Sequence, residues 1–77
     1  MVSLMEMKIR QMSDAEVIIR YNQIASQKSV NAHDRSEREA LEEDVLLNRN
    51  WPDSKIKKEF GLSQSELKSI KDDLDIE

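Results

Sequence analysis

Turn-forming residues are scarce in this chain, which has one glycine, Gly61, and one proline, Pro52, among its 77 residues. Tight β-hairpins rely on such residues at fixed positions, so little hairpin chemistry is available. Leu, Glu, Lys, Arg, Gln, Ala and Met are frequent instead, and these residues favour helices. The sequence therefore predicts an all-α fold.

The length allows one domain at most, spanning residues 1–77, with a small core. The chain has no cysteine, which excludes disulfides and thiolate metal sites. Its 38% hydrophobic and 36% charged residues are typical of a soluble chain. No apolar segment is long enough to span a bilayer, and no signal peptide is recognisable. We therefore expect a cytoplasmic protein without a membrane partner.

Three capping boxes mark predicted helix starts. In each, a serine precedes a glutamate by three residues, so that each side chain caps the backbone N–H of the other. The boxes begin at Ser13, Ser36 and Ser63. The first helix should cover residues 13–28. The second should run from residue 36 to about residue 48 and lie centrally, because its apolar residues spread around the helix axis.

The N-terminal segment, residues 1–12, allows several structures. Apolar and charged residues alternate over Met5–Arg10 with the period of a strand, but the stretch is short. A helical lead-in fits the same residues, and part of the segment is expected to be flexible. The sequence leaves these alternatives open.

The stretch Asp53–Asp72 has the pattern of two short helices joined by a tight turn, and it resembles the bacterial and phage helix-turn-helix signature. That family has five apolar residues, a turn glycine and a capping serine or threonine at fixed positions. All seven positions are filled here, by Ile56, Phe60, Gly61, Leu62, Ser63, Leu67 and Ile70. One position departs from the family pattern, because Lys57 stands where a small residue is usual and must extend outward.

The resemblance covers residues 36–74, since the preceding helix resembles the first helix of the three-helix form in homeodomain-like and sigma-factor region 4 domains. It implies a small four-helix domain: a C-terminal helix-turn-helix unit, residues 36–74, and an added N-terminal helix, residues 13–28. It also implies a DNA-binding regulator of transcription or replication, of bacterial or phage type.

In that family the second helix of the motif enters the major groove by its N-terminal end. Gln64 would then pair with adenine and Lys68 with guanine. The base-reading residues implied by the resemblance are Gln64, Ser65, Lys68 and Ser69. Lysines that would contact phosphates, and so position the protein on DNA, are Lys55, Lys58 and Lys71.

Charge and size both bear on DNA binding. The net charge is −4, but Trp51–Lys71 contains five lysines against three acidic residues, a local balance of +2. One module this small makes few phosphate contacts, so we expect a homodimer on two half-sites. Its predicted face is formed by the apolar residues of the first helix, Val17, Ile18, Ile19, Tyr21 and Ile24, for which packing within the chain is the alternative.

Two other functions fit parts of the sequence. The acidic band Glu37–Asp44 would suit a protein-binding adaptor or inhibitor that meets a basic surface on a host or partner protein. A ribbon-helix-helix dimer would use Met5–Arg10 as its ribbon and read DNA through Glu6, Lys8 and Arg10.

The remaining chemistry-bearing residues are isolated. His33 has no recognisable catalytic partner and is expected to be structural or solvated. Trp51 is expected to cover the core of the helix-turn-helix. The acidic tail lacks the spacing and the glycine of a calcium loop; its residues are Asp72, Asp73, Asp75 and Glu77. The sequence therefore predicts no enzyme activity, cofactor or metal.

Overall fold

The computed structural model describes residues 3–75, and every regular element in that range is helical. There are five α-helices, α1 (Leu4–Gln11), α2 (Asp14–Ala25), α3 (Ala32–Glu43), α4 (Asp53–Phe60) and α5 (Gln64–Asp73), and a π-helical segment (Asp44–Asn48) that continues α3. The all-α prediction is confirmed. The predicted number of four helices is wrong, because the N-terminal segment forms a fifth, α1. Residues 1–2 and 76–77, including Glu77 of the acidic tail, lie outside the described range.

Of the two structures that the sequence allows for Met5–Arg10, a strand and a helix, the helix is observed, as part of α1. The Ser3 hydroxyl oxygen caps this helix by accepting the Glu6 N–H at 3.1 Å. Ile9 is buried, and α1 packs against α3 and the π-helical segment. The ribbon-helix-helix alternative is wrong, since this segment is helical and residues 3–75 contain no strand to form a ribbon.

Two of the three predicted capping boxes form, at Ser13 and Ser63. The predicted box at Ser36 is wrong because α3 starts earlier. Asn31 caps that helix, and its side-chain oxygen accepts the Asp34 N–H at 2.8 Å. Ser36 consequently lies inside α3, with its side chain exposed. The first predicted helix is also shorter than expected and ends at Ala25.

A column of three aromatic rings connects α2 to α4 through the core. The ring of Tyr21 in α2 stacks on the ring of Phe60 in α4, with centroids 3.9 Å apart and planes 8° from parallel. Trp51 packs against Phe60 at 5.9 Å and is buried, as predicted. Around this column lie the other buried apolar residues, Ile9, Val17, Ile24, Leu41, Val45, Ile56 and Leu67.

A polar cluster centred on Arg49 holds the N-terminal helices together. Its guanidinium pairs with the buried carboxylate of Asp44 and with Asp14 at 2.7 Å. It also donates to the carbonyl oxygens of Ile9 at 2.8 Å and Met12 at 2.7 Å. Burial disfavours its charge, but hydrogen bonds to the two carboxylates raise the pKa of Arg49 above its ordinary value. Arg49 thus connects the α1–α2 junction to the end of α3.

Candidate nucleic-acid interface

The turn between α4 and α5 is fixed by backbone hydrogen bonds and a side-chain cap. Gly61 has the left-handed conformation that its position predicted, with φ 65° and ψ 36°. Its N–H donates to the Lys57 carbonyl oxygen, which also accepts the Leu62 N–H at 3.0 Å. Ser63 and Glu66 then form the capping box, at 3.1 and 3.0 Å. The Ser63 N–H donates to the Glu66 carboxylate, and this hydrogen bond lowers the pKa of Glu66. The first turn of α5 therefore has a defined position and direction.

The predicted base-reading residues all lie on the solvent-exposed side of α5. On the opposite side of this helix Leu67 is buried, and Ile70 is half-buried. Within residues 3–75, the side chains of Ser65, Lys68 and Ser69 form no hydrogen bond or ion pair. The exposed set comprises Gln64, Ser65, Lys68 and Ser69. It forms a short polar surface that is open to a ligand.

Lys57 makes a contact that was not predicted. Its ammonium group donates to the side-chain oxygen of Gln64 at 2.8 Å, across the turn between α4 and α5. The side chain is half-buried and extends toward the start of α5. The sequence identified Lys57 as unusual for the motif, but it gave no partner. The available signal was that residues facing each other across a tight turn between helices are brought close together.

The three predicted phosphate-contacting lysines have different surroundings. Lys58 is exposed and forms no ion pair within the described residues. Lys71 binds both carboxylate oxygens of Asp53 at 2.8 Å. Lys55 lies 3.6 Å from Asp14 and 4.2 Å above the centre of the Trp51 ring. Lys58 is therefore available to a phosphate, whereas Lys55 and Lys71 already have partners within the chain.

The predicted dimer face on α2 is largely buried within the single chain. Val17 and Ile24 have no exposed surface, and Tyr21 is 3% exposed. Ile18 is half-buried against the core, and Ile19 is 58% exposed. The predicted face is therefore wrong for the three buried residues, because the intramolecular core already covers them.

The acidic band Glu37–Asp44 is mostly engaged in contacts within the chain. The Arg20 guanidinium donates to Glu37 at 2.9 Å and to Asp34 at 3.3 Å, and this pairing lowers the pKa of Glu37. Asp44 is bound by Arg49. Of the remaining acids, Glu42 is buried, Glu43 is half-buried and Glu39 is exposed. The band is therefore not the continuous acidic surface that a basic partner would need.

Glu42 is a buried carboxylate whose partner in the described structure is a hydroxyl group. The Tyr21 hydroxyl donates to it at 2.6 Å, and only 9% of Glu42 is exposed. Burial raises the pKa of Glu42, and the Tyr21 hydrogen bond opposes that shift only in part. The pKa of the Tyr21 hydroxyl is raised as well, by burial and by this carboxylate. The pair belongs to the core and not to the exposed face of α5.

His33, Asp34 and Glu37 form a cluster with ligand atoms that lie within 4.8 Å of one another, a spacing that could hold a metal ion. The guanidinium of Arg20, however, already binds both carboxylates. His33 is exposed, 4.0 Å from Glu37. The positive charge of Arg20 therefore already neutralises part of the negative charge that a metal ion would need. The described residues of the acidic tail are all exposed, namely Asp72, Asp73 and Asp75.

Comparison of the chain with protein-family models, with curated proteins and with solved structures found no match. Among residues 3–75, none of the helices combines the length and the apolar character that crossing a membrane requires.

Proposed function

We propose that this chain is a small DNA-binding protein in which α4, the Gly61 turn and α5 act as a helix-turn-helix. The observation that carries the proposal is the division of α5 into two sides. Leu67 is buried, while Gln64, Ser65, Lys68 and Ser69 are exposed beside a capped, fixed first turn. A recognition helix needs these properties, because it must present short and long polar side chains to base edges from a rigid support.

Each exposed side chain has a chemical role in this proposal. The amide of Gln64 matches the donor and acceptor pair of adenine, and the ammonium group of Lys68 matches the two acceptors of guanine. Ser65 and Ser69 are short donors that adapt to neighbouring bases. Lys58 supplies a phosphate contact from α4. Lys55 and Lys71 are not assigned to phosphates, because they already pair with Asp14 and Asp53.

The acidic composition is compatible with this role because of where the carboxylates lie. Glu37 is neutralised by Arg20, and Asp44 by Arg49, outside the α4–α5 unit. Asp72, at the C-terminal end of α5, is eight residues beyond Gln64. At 1.5 Å per residue this separation is about 12 Å. It exceeds the Debye length of about 8 Å at physiological salt, so repulsion from Asp72 is weak at Gln64. Lys68 is only four residues from Asp72, and there its own positive charge offsets the carboxylate.

Regulation of transcription or replication, of bacterial or phage type and in the cytoplasm, follows as part of the proposal. Two copies on adjacent half-sites would add their binding free energies, which compensates for the few phosphate contacts of one copy. The adaptor alternative has no such support, since most of the Glu37–Asp44 band is bound within the chain.

Selection from random DNA duplexes, followed by binding measurements at several salt concentrations, tests the proposal. We expect an enriched site and an affinity that falls steeply as salt rises. Lys68→Ala should change the preferred base at one position, whereas Lys58→Ala should weaken binding to all sequences similarly. Lys28→Ala, which changes an exposed lysine in the connector between α2 and α3, is the matched control and should change neither. Recovery of no enriched sequence would overturn the proposal.

A further inference from the structure

We infer that Lys57 is a specificity-determining residue, which holds the Gln64 amide in the orientation that favours adenine over guanine. The inference rests on the proposed DNA-binding function and concerns the same surface. It starts from the hydrogen bond between the Lys57 ammonium group and the side-chain oxygen of Gln64, at 2.8 Å.

Both residues project from backbone that is already fixed. The carbonyl oxygen of Lys57 accepts two N–H groups, from Gly61 and Leu62, which anchors the last turn of α4. Gln64 is the first residue of α5 and follows directly on the Ser63 cap. Because the turn sets the separation of the two backbones, the side-chain hydrogen bond between Lys57 and Gln64 needs no movement of either helix.

The chemistry of the two groups determines which way the amide faces. An ammonium group only donates, so the oxygen of Gln64 must point toward Lys57 and the NH₂ group must point away. The amide oxygen has a second lone pair, which stays available to a base together with an N–H donor. That donor and acceptor edge matches adenine, which offers N6–H and N7. Guanine offers two acceptors, O6 and N7, and would require the NH₂ group alone to face the base.

The same hydrogen bond contributes little to folding, because it lies at the exposed surface. Its effect increases when DNA covers α5 and excludes water, since polar interactions strengthen where the dielectric constant is low. Loss of Lys57 should therefore leave thermal unfolding unchanged and reduce base discrimination.

The experiment uses the duplex selected by the unaltered protein. The base pair read by Gln64 is identified as the position of the duplex at which the Gln64→Ala protein no longer prefers one base over the others. Affinities are then measured for the duplexes carrying adenine or guanine at that position, with the unaltered protein, Lys57→Met, Gln64→Ala and the double variant. Lys58→Met is the matched control, because it removes one positive charge from the neighbouring position of α4.

For the unaltered protein we expect adenine to be preferred by about tenfold or more, as for a bidentate side-chain contact. Lys57→Met should reduce this ratio nearly to that of Gln64→Ala, and the double variant should show no further loss. Lys58→Met should weaken binding to both duplexes and leave the ratio unchanged. In the free protein, Lys57→Met should also shift the NMR signals of the Gln64 side-chain amide.

Three results would overturn the inference. One is a Lys57→Met protein that keeps the adenine preference and binds both duplexes more weakly, since Lys57 would then be a phosphate contact. Another is a Gln64→Ala protein with unchanged preference at every position. The third is an unshifted Gln64 amide signal in Lys57→Met. Failure of the unaltered protein to select any DNA would instead overturn the proposed function, and the inference with it.

Discussion

The N-terminal region, α1 to the π-helical segment, and the C-terminal α4–α5 unit are both helical, but they are held together differently. In the N-terminal region, charged side chains bridge residues that are far apart in the sequence. Arg49 reaches residues that lie 35 to 40 positions earlier, and Arg20 reaches Glu37 in the next helix. In the α4–α5 unit the connections are mainly local, with the Ser63–Glu66 cap spanning three positions.

This difference determines which polar residues remain for function. Arg20 and Arg49 are committed to carboxylates within the fold, so they are not available to a ligand without loss of stability. In the α4–α5 unit, helix caps and apolar contacts position the helices, and Lys58 and Lys68 form no ion pair within residues 3–75. Residue type and net charge alone do not distinguish these two situations.

The two regions should differ most in the free energy of unfolding that is lost when an ion-paired side chain of each, Arg49 or Lys71, is replaced by methionine. Arg49→Met leaves Asp44 buried without a counter-charge and should lower the free energy of unfolding by about 3–5 kcal/mol. Lys71→Met removes an exposed ion pair with Asp53 in the α4–α5 unit and should cost less than about 1 kcal/mol. Urea unfolding followed by Trp51 fluorescence measures both. Equal losses would contradict the comparison.

A smaller effect should separate the serine that caps a helix from the one that only matches the pattern. Ser63→Ala removes the acceptor for the Glu66 N–H and should cost about 1 kcal/mol. Ser36→Ala replaces an exposed serine inside α3 and should be neutral or slightly stabilising, because alanine has the higher helix propensity. Thermal unfolding of the two variants tests this, and a larger loss for Ser36→Ala would show that Ser36 marks a helix start.

The smallest effect is the change in stability when a carboxylate of α3 is replaced by an amide. It depends on pH and has opposite signs for Glu42 and Glu37. Burial raises the folded-state pKa of Glu42 above its ordinary 4.5, so its stabilising contribution is present below that value and is lost as pH rises through the folded pKa. Glu42→Gln stays neutral, keeps an acceptor for Tyr21, and should be more stable near pH 7 by up to about 1 kcal/mol.

Glu37 provides the matched comparison for Glu42. Arg20 lowers its pKa, so its contribution is present above 4.5 and is lost as pH falls through the folded pKa. Glu37→Gln should therefore be less stable than the unaltered protein near pH 7, and the difference should shrink in acid. Urea unfolding midpoints at neutral and acidic pH measure both variants. The same sign for both at neutral pH would contradict these assignments.

Local chemistry made much of the fold predictable. The boxes at Ser13 and Ser63 and the left-handed Gly61 are short-range features that depend on residues within one turn, and all three formed. Ser36 has the same local pattern but lies inside a helix, because Asn31 caps α3 from an earlier position. Met5–Arg10 is too short for its period to distinguish a helix from a strand. Burial of Ile9 against α3 and the π-helical segment decided it.

The candidate site was predictable at the level of exposure and not at the level of contacts. Helical periodicity alone separates Leu67 from Lys68, so the exposed side of α5 followed from the motif. The Lys57–Gln64 hydrogen bond and the pairing of Lys71 with Asp53 depend on how two helices meet across a turn. The Arg49 cluster depends on contacts between distant segments, for which the sequence contains no local signal.

The π-helical segment Asp44–Asn48 has a geometric consequence for the whole molecule. A π-helical turn holds more residues than an α-helical turn, so the segment acts as a one-residue insertion in a continuous helix. Each residue of an α-helix advances the direction by about 100°. Deleting one residue there would restore regular winding and rotate Arg49 and everything after it around the α3 axis. The wider turn therefore sets the angle by which the α4–α5 unit is rotated about the α3 axis relative to the N-terminal region. It thereby sets the direction in which α5 faces.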